Sequence, residues 1–210
     1  MKFILFFIFS CIFSASLSGA SITKKQRFYH LIVPVVQKVH SDLMLKYKTV
    51  LQDMKDSKNK KQIQELKKIY RVATDEELLI ALKPHPKSIA IAQAAIESGW
   101  ATSRFFIQAN NVFGVWSTNK SQPRIAARQK RGGTKTIWLR RFKTLEDSVR
   151  DYYKMIATVK VYKEFRILRY NTNDIMKMVK KLDKYSELDK KYTKELANII
   201  KYNNLTKYDK

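Results

Sequence analysis

The stretch from Ile89 to Trp100 constrains this chain more than any other. Every residue from Ile89 to Ile96 is apolar except Gln93, and Glu97-Ser98-Gly99-Trp100 follows directly. An apolar run of helix-favouring residues reads as a buried helix, and Gly99 is a suitable stop. The run carries one carboxylate to its C-terminal end. Ten residues after Trp100 comes Asn110-Asn111-Val112-Phe113-Gly114-Val115-Trp116, a cluster of amides and aromatics with one glycine. An acid held in apolar surroundings beside flat, sugar-sized surfaces points to glycoside cleavage. The plain alternative is a buried helix that happens to end in Glu.

The N-terminus carries a second signal. Lys2 precedes an apolar run from Phe3 to Phe13, then small residues lead to Ser18-Gly19-Ala20. This pattern predicts a secretory signal peptide over residues 1–20 rather than an uncut anchor, because a membrane span needs roughly 20 apolar residues. Cys11 is the only cysteine, so the processed chain would hold its fold by its core alone. The net charge is +24, and +23 once Lys2 is removed. A field of that sign draws polyanions. With an export signal, anionic wall polymers or a lipid surface are favoured over nucleic acid, though part of the lysine content reads as a solvated surface. A monomer is expected.

Apolar spacing predicts a long helix over residues 24–56, kinked or restarted at Pro34. A second helix is predicted over 61–72, with Ile63, Leu66, Ile69 and Tyr70 on one face. Thr74-Asp75-Glu76-Glu77 has capping-box spacing and opens a short helix to Leu82. Pro84 and Pro86 mark a boundary, so a helical extension over 21–83 is expected to precede a domain over 84–205. Ser88 is the expected cap of the helix bearing Glu97, and 101–109 reads as a short helix capped by Thr102. Residues 117–135, with Pro123 and Gly132-Gly133, read as a loop, and 112–116 is expected to pair with 136–142. A capping box at Thr144 opens a helix burying Val149, Tyr152, Tyr153 and Ile156. Further helices are expected near 172–183 and 189–202. The fold class is α+β, mainly α, with a small β element.

Ala92-Gln93-Ala94-Ala95-Ile96-Glu97-Ser98-Gly99-Trp100, followed by Asn110 to Trp116, resembles the bacterial β-N-acetylglucosaminidases of glycoside hydrolase family 73, in particular their Bax-type branch. The resemblance continues through Phe142 to Tyr152, Leu182 to Ser186, Tyr192, and Ile199 to Leu205. It implies a lysozyme-like domain with a small β-hairpin lobe, and hydrolysis of peptidoglycan glycan strands after N-acetylglucosamine in the cell envelope. It places the catalytic acid on Glu97. Trp100, Asn110, Asn111, Phe113 and Trp116 fall on the cleft, and Tyr185 and Tyr192 fall close to the acid. No cofactor is implied.

The residues support Glu97 independently. A general acid must hold its proton near neutral pH. The negative end of the helix dipole and apolar neighbours both favour the neutral carboxyl. Phe113 fits core packing better than sugar stacking, while Asn110 and Asn111 fit either backbone bracing or N-acetyl recognition. No Asp or Glu lies between Glu97 and Glu146, and Trp138 stands where the Bax-type branch often has Glu. Glu146 reads as a helix cap. A substrate-assisted mechanism with Tyr185 orienting the acetamido group would need no second acid, and neither would a lytic transglycosylase; a lytic transglycosylase or muramidase is the second reading. A catalytically weak wall-binding protein is the rival from another class. His30, His40 and His85 lack metal-ligand spacing, and the last two read as surface residues.

Overall fold

The computed structural model describes residues 22–131 and 135–210, and the side chains of residues 22–127 and 136–210. The expected signal peptide and Gly132-Gly133 lie outside the described residues. Helix α1 (Lys24–Lys55) is opened by a capping box in which Thr23 and Gln26 satisfy each other's backbone N–H groups. It runs unbroken through Pro34. Ile32, Val33 and Val36 on either side of the proline are all buried, so packing holds the helix where propensity alone would interrupt it. Helices α2 (Lys60–Tyr70) and α3 (Asp75–Leu82) follow, the second opened by the predicted Thr74–Glu77 box. On α2, Ile63, Leu66 and Tyr70 face inward, whereas Ile69 is exposed.

Helix α4 (Lys87–Ser98) is the centre of the molecule. Ile89, Ala90, Ile91, Ala92 and Ala94 are inaccessible on every side, packed against α1, against α9 (Asp189–Tyr202) and against a 3-10 turn at Leu205–Tyr208. A helix apolar all round must be enclosed in this way. Its N-terminus is not capped by Ser88. The cap position is Pro86, and the Ser88 N–H instead donates to Asp209 Oδ1 at 2.9 Å. Helix α5 (Arg104–Ala109) is capped by Ser103 rather than Thr102, whose hydroxyl donates to the Gly99 carbonyl.

Strands β1 (Arg124–Arg131) and β2 (Lys135–Arg140) form an antiparallel hairpin. This corrects two expectations: 124–131 is strand rather than loop, and β2 pairs with it rather than with 112–116. Trp116 contributes only an isolated bridge to Leu139. Ile125 and Leu139 bury against Ala109, which anchors the hairpin on α5. Between the pairs Ala126–Trp138 and Lys130–Thr136 the register shifts, so β1 carries extra residues as a bulge.

Helix α6 (Leu145–Thr158) starts at the predicted Thr144 box and buries Val149, Tyr152, Tyr153 and Ile156. Asp147 closes that box, whereas Glu146 is drawn into ion pairs with Lys38 and Arg150. Helices α7 (Lys163–Asn171) and α8 (Ile175–Lys180) precede a 3-10 turn at Asp183–Tyr185. The first half of α1 shares one core with α4, α6 and α9, while its second half packs with α2 and α3. The N-terminal helix is therefore built into the domain core. No helix among the described residues is long and apolar enough to cross a membrane.

Candidate active site

Gln93 and Glu97 lie four residues apart and so share one face of α4. The helix ends immediately after Glu97 through an abrupt turn in which Gly99, Trp100 and Ala101 take φ of 57°, 59° and 62°. Only glycine adopts this region freely. The strain at Trp100 and Ala101 is held by Ser98, whose hydroxyl donates to the Ala94 carbonyl at 2.6 Å and accepts from the Ala101 N–H at 2.9 Å. Strained backbone of this kind clusters at functional sites. Gly114, at φ 63°, brings the following loop against the acid. A methyl group there would sit 3.8 Å from Glu97 Oε2.

Burial raises the Glu97 carboxyl from 4.5 to about 7; the facing Tyr192 hydroxyl lowers it and the charge of Glu195 raises it. The acid is half-buried, so it reaches solvent while its neighbours withhold full hydration. Tyr185 and Tyr192 stack beside it with ring centroids 5.6 Å apart and planes 12° apart. Burial, then the Glu97 charge, pushes both phenols and that of Tyr162 upward, so all three remain protonated. Tyr185 makes no hydrogen bond to another described residue and is half-buried, which leaves its hydroxyl available.

A chain of buried hydrogen bonds stands behind the acid. Gln93 Nε2 donates to the Tyr192 hydroxyl at 2.9 Å, and the Tyr152 hydroxyl donates to Gln93 Oε1 at 2.5 Å. Because that bond uses Tyr152's only proton, His85 Nε2, 2.8 Å from the same oxygen, is the donor there. Burial, then Arg169, keeps His85 neutral, and its Nδ1 is left without a partner. The polarity is thereby set along the whole chain, and the Tyr192 proton points to Glu97. His85 was expected on the surface and is instead inaccessible, stacked on Tyr153. His40 is likewise half-buried.

The other expected residues divide. Phe113 is core, stacked on Tyr152 at 3.9 Å. Asn110 donates to the carbonyls of Phe142 and Lys143. Asn111 donates to those of Val115 and Arg140 and accepts from the Val115 N–H. Both amides brace the loop that carries Gly114. Trp100 packs on Phe28 and Tyr29 with Lys25 over its ring, against α1. Trp116 is 55% exposed and lines a groove of about 520 Å³ with Val115, Arg140, Asp151, Met155 and Val159. Asp151, the carboxylate of that groove, is paired with Arg140. Sequence reading missed Gln93, Tyr152 and His85. Of these only Gln93 left a trace, as the single polar residue in the apolar run.

A family model headed Glucosaminidase, described as mannosyl-glycoprotein endo-beta-N-acetylglucosaminidase, matches residues 76–205. A comparison with curated proteins gives no match. Among solved structures, the catalytic domain of the autolysin Auto from Listeria monocytogenes is similar over 90% of this chain and 90% of its own, at 19% identity and a TM-score of 0.58. An N-acetylmuramoyl-L-alanine amidase from Staphylococcus aureus is similar over 89% of this chain and 43% of its own, at 17% identity and a TM-score of 0.58. A peptidoglycan hydrolase mutant from Sphingomonas sp. A1 is similar over 87% of this chain and 97% of its own, at 18% identity and a TM-score of 0.54. At such identities the likeness is one of fold.

Proposed function

The chain belongs to the glucosaminidase family of glycoside hydrolases, with its lysozyme-like fold, and from that premise we propose that it cleaves peptidoglycan glycan after N-acetylglucosamine with Glu97 as general acid. The observation that carries the proposal is a carboxyl held at about 7, at the end of a buried helix, against Gly114 and a stacked tyrosine pair. A carboxyl in that range is protonated often enough near neutrality to act, and its conjugate base is strong enough to take the proton back.

In the proposed reaction Glu97 gives its proton to the glycosidic oxygen as the bond from that oxygen to the anomeric carbon breaks. The sequence has no carboxylate between Glu97 and Glu146, and Glu146 is committed to Lys38 and Arg150. The substrate's own acetamido oxygen therefore closes onto the anomeric carbon. Tyr185 steadies that group through its free hydroxyl. Water then attacks the same carbon, its proton returns to the Glu97 carboxylate, and the acetamido oxygen is released. Trp116 and its groove, two residues from Gly114, hold the next part of the strand. The leader-like residues 1–20 support export to the envelope, where this substrate lies.

Digestion of purified sacculi with mass analysis of the products tests the reading. Reducing ends on N-acetylglucosamine, lost in Glu97→Gln, are expected. Activity that survives Glu97→Gln would sink it. The lack of a carboxylate between Glu97 and Glu146 equally favours a lytic transglycosylase, which would leave 1,6-anhydro-muramic ends instead.

A further inference from the structure

Away from Glu97, a cleft of about 240 Å³ opens where α1, α6, α7 and the α3–α4 connection meet. Lys46 of α1, Lys83 of the connection, Lys154 of α6 and Arg169 of α7 line it. None of these four is paired with a carboxylate among the described residues. Lys83 donates to the Tyr170 carbonyl and Arg169 to that of Ile80. Lys154 and Lys46 both lie over the Tyr70 ring, at 3.8 and 5.4 Å from its centroid. Arg150 on the rim is paired, but its partners Asp42 and Glu146 are shared with Lys38. Asp209, which lines a neighbouring concavity with Arg169, accepts from the Ser88 N–H through Oδ1, and its Oδ2 is buried without a partner.

Arg169 is only 3% exposed, and its Nε has no hydrogen-bond partner. The Tyr153 hydroxyl, on the same lining, is also buried and unpartnered. An unpaired buried guanidinium is costly, and like charges converging on one cleft add repulsion. Burial, then Arg166, brings Arg169 down to about 9, and burial lowers Lys46, Lys83 and Lys154 as well. Interiors tolerate such a set when a counter-charge arrives from outside. A guanidinium with ammonium groups around it matches the geometry and charge of phosphate oxygens.

We propose that this cleft binds the phosphate group of a phosphate ester, at a site away from Glu97 that shares only Lys154 with the Trp116 groove. The charge that is diffuse in the sequence is here gathered from three helices and one connection onto one small concavity. A phosphate inserted among the four cations removes their mutual repulsion and gives the Arg169 Nε an acceptor.

The test is thermal melting of the whole chain in about 10 mM inorganic phosphate against chloride at matched pH and ionic strength, where phosphate is expected to raise Tm by about 2 to 4 °C more. The double variant Lys46→Gln, Lys154→Gln is expected to melt higher than the parent without phosphate and to lose the phosphate increment. A pair of equal charge on the exposed start of α2, Lys60→Gln with Lys61→Gln, should keep it. If the first double variant does not fold, Lys83→Gln with isothermal titration of phosphate answers the same question. Equal shifts in phosphate and chloride, or an increment that survives in the cleft variants, would overturn the site. Glycerol 3-phosphate and a glycerol phosphate polymer distinguish the source: equal affinity per phosphate identifies a free ester, and much tighter polymer binding identifies a polymer-borne one.

Discussion

Glu97 owes its proton to its place rather than to its residue type. Apolar neighbours strip hydration from the charged form, and the Tyr192 hydroxyl restores only part of it. The consequence for stability has a definite sign. Below 4.5 the carboxyl is protonated folded or unfolded, and above about 7 it is ionised in both. Between the two only the folded state keeps the proton, so stability falls as pH rises through this window, by about 3 kcal/mol. Glu97→Gln lacks that loss and is expected to melt higher than the parent at pH 8 and alike at pH 4. Parallel melting curves across the range would show that the acid is solvated after all. The duty proposed for Tyr185 is different. Tyr185→Phe is expected to lower turnover about 10²-fold to 10³-fold while leaving sacculus binding and Tm close to the parent. If it is silent, the hydroxyl that steadies the acetamido group lies elsewhere. Glu97 was legible in its local motif. Gln93, Tyr152 and His85 were not, because His85 and Tyr152 meet across 67 positions and Tyr152 and Gln93 across 59.

At the scale of elements, helix interiors followed the apolar spacing and helix ends did not always follow the nearest polar residue. The boxes at Thr74 and Thr144 close as written in the sequence, because donor and acceptor are three residues apart. The start of α4 depends on a residue 121 positions away, Asp209. Asp209→Ala is therefore expected to cost about 1 kcal/mol and to lower Tm by about 2 to 4 °C. Ser88→Ala should be neutral or slightly stabilising, since its hydroxyl is buried without a partner. The opposite order in the two melting curves would return the cap to Ser88. Strand β1 was hidden by its composition. Four of its eight residues are Arg or Lys, and what makes it a strand is Ile125 meeting Leu139 and Ala109 across space.

For the whole molecule the dominant quantity is charge. A chain at +24 draws polyanions through long-range fields that salt screens within about 8 Å at physiological ionic strength. Retention of the Glu97→Gln protein on sacculi is expected to fall steeply as sodium chloride rises from about 50 to about 500 mM. Retention that ignores salt would assign binding to the Trp116 groove instead. The size of the charge was plain from composition. Its concentration around Arg169 was not, since Lys46, Lys83, Lys154 and Arg169 come from separate elements.

The sequence alone determined what depends on neighbours within a turn or two of chain: the buried character of α4, the acid at its end, the stop at Gly99, the two capping boxes and the net charge. Each of these rests on spacing of three or four residues, or on counting. Tertiary structure decided what depends on meeting across the chain. It carried helix α1 unbroken through the exposed Pro34, made a strand of 124–131, committed Asn110 and Asn111 to the backbone, and set His85, Tyr152, Gln93 and Tyr192 in one polarised line behind Glu97. Burial and long-range hydrogen bonds are properties of the packed whole, and no local window of residues contains them.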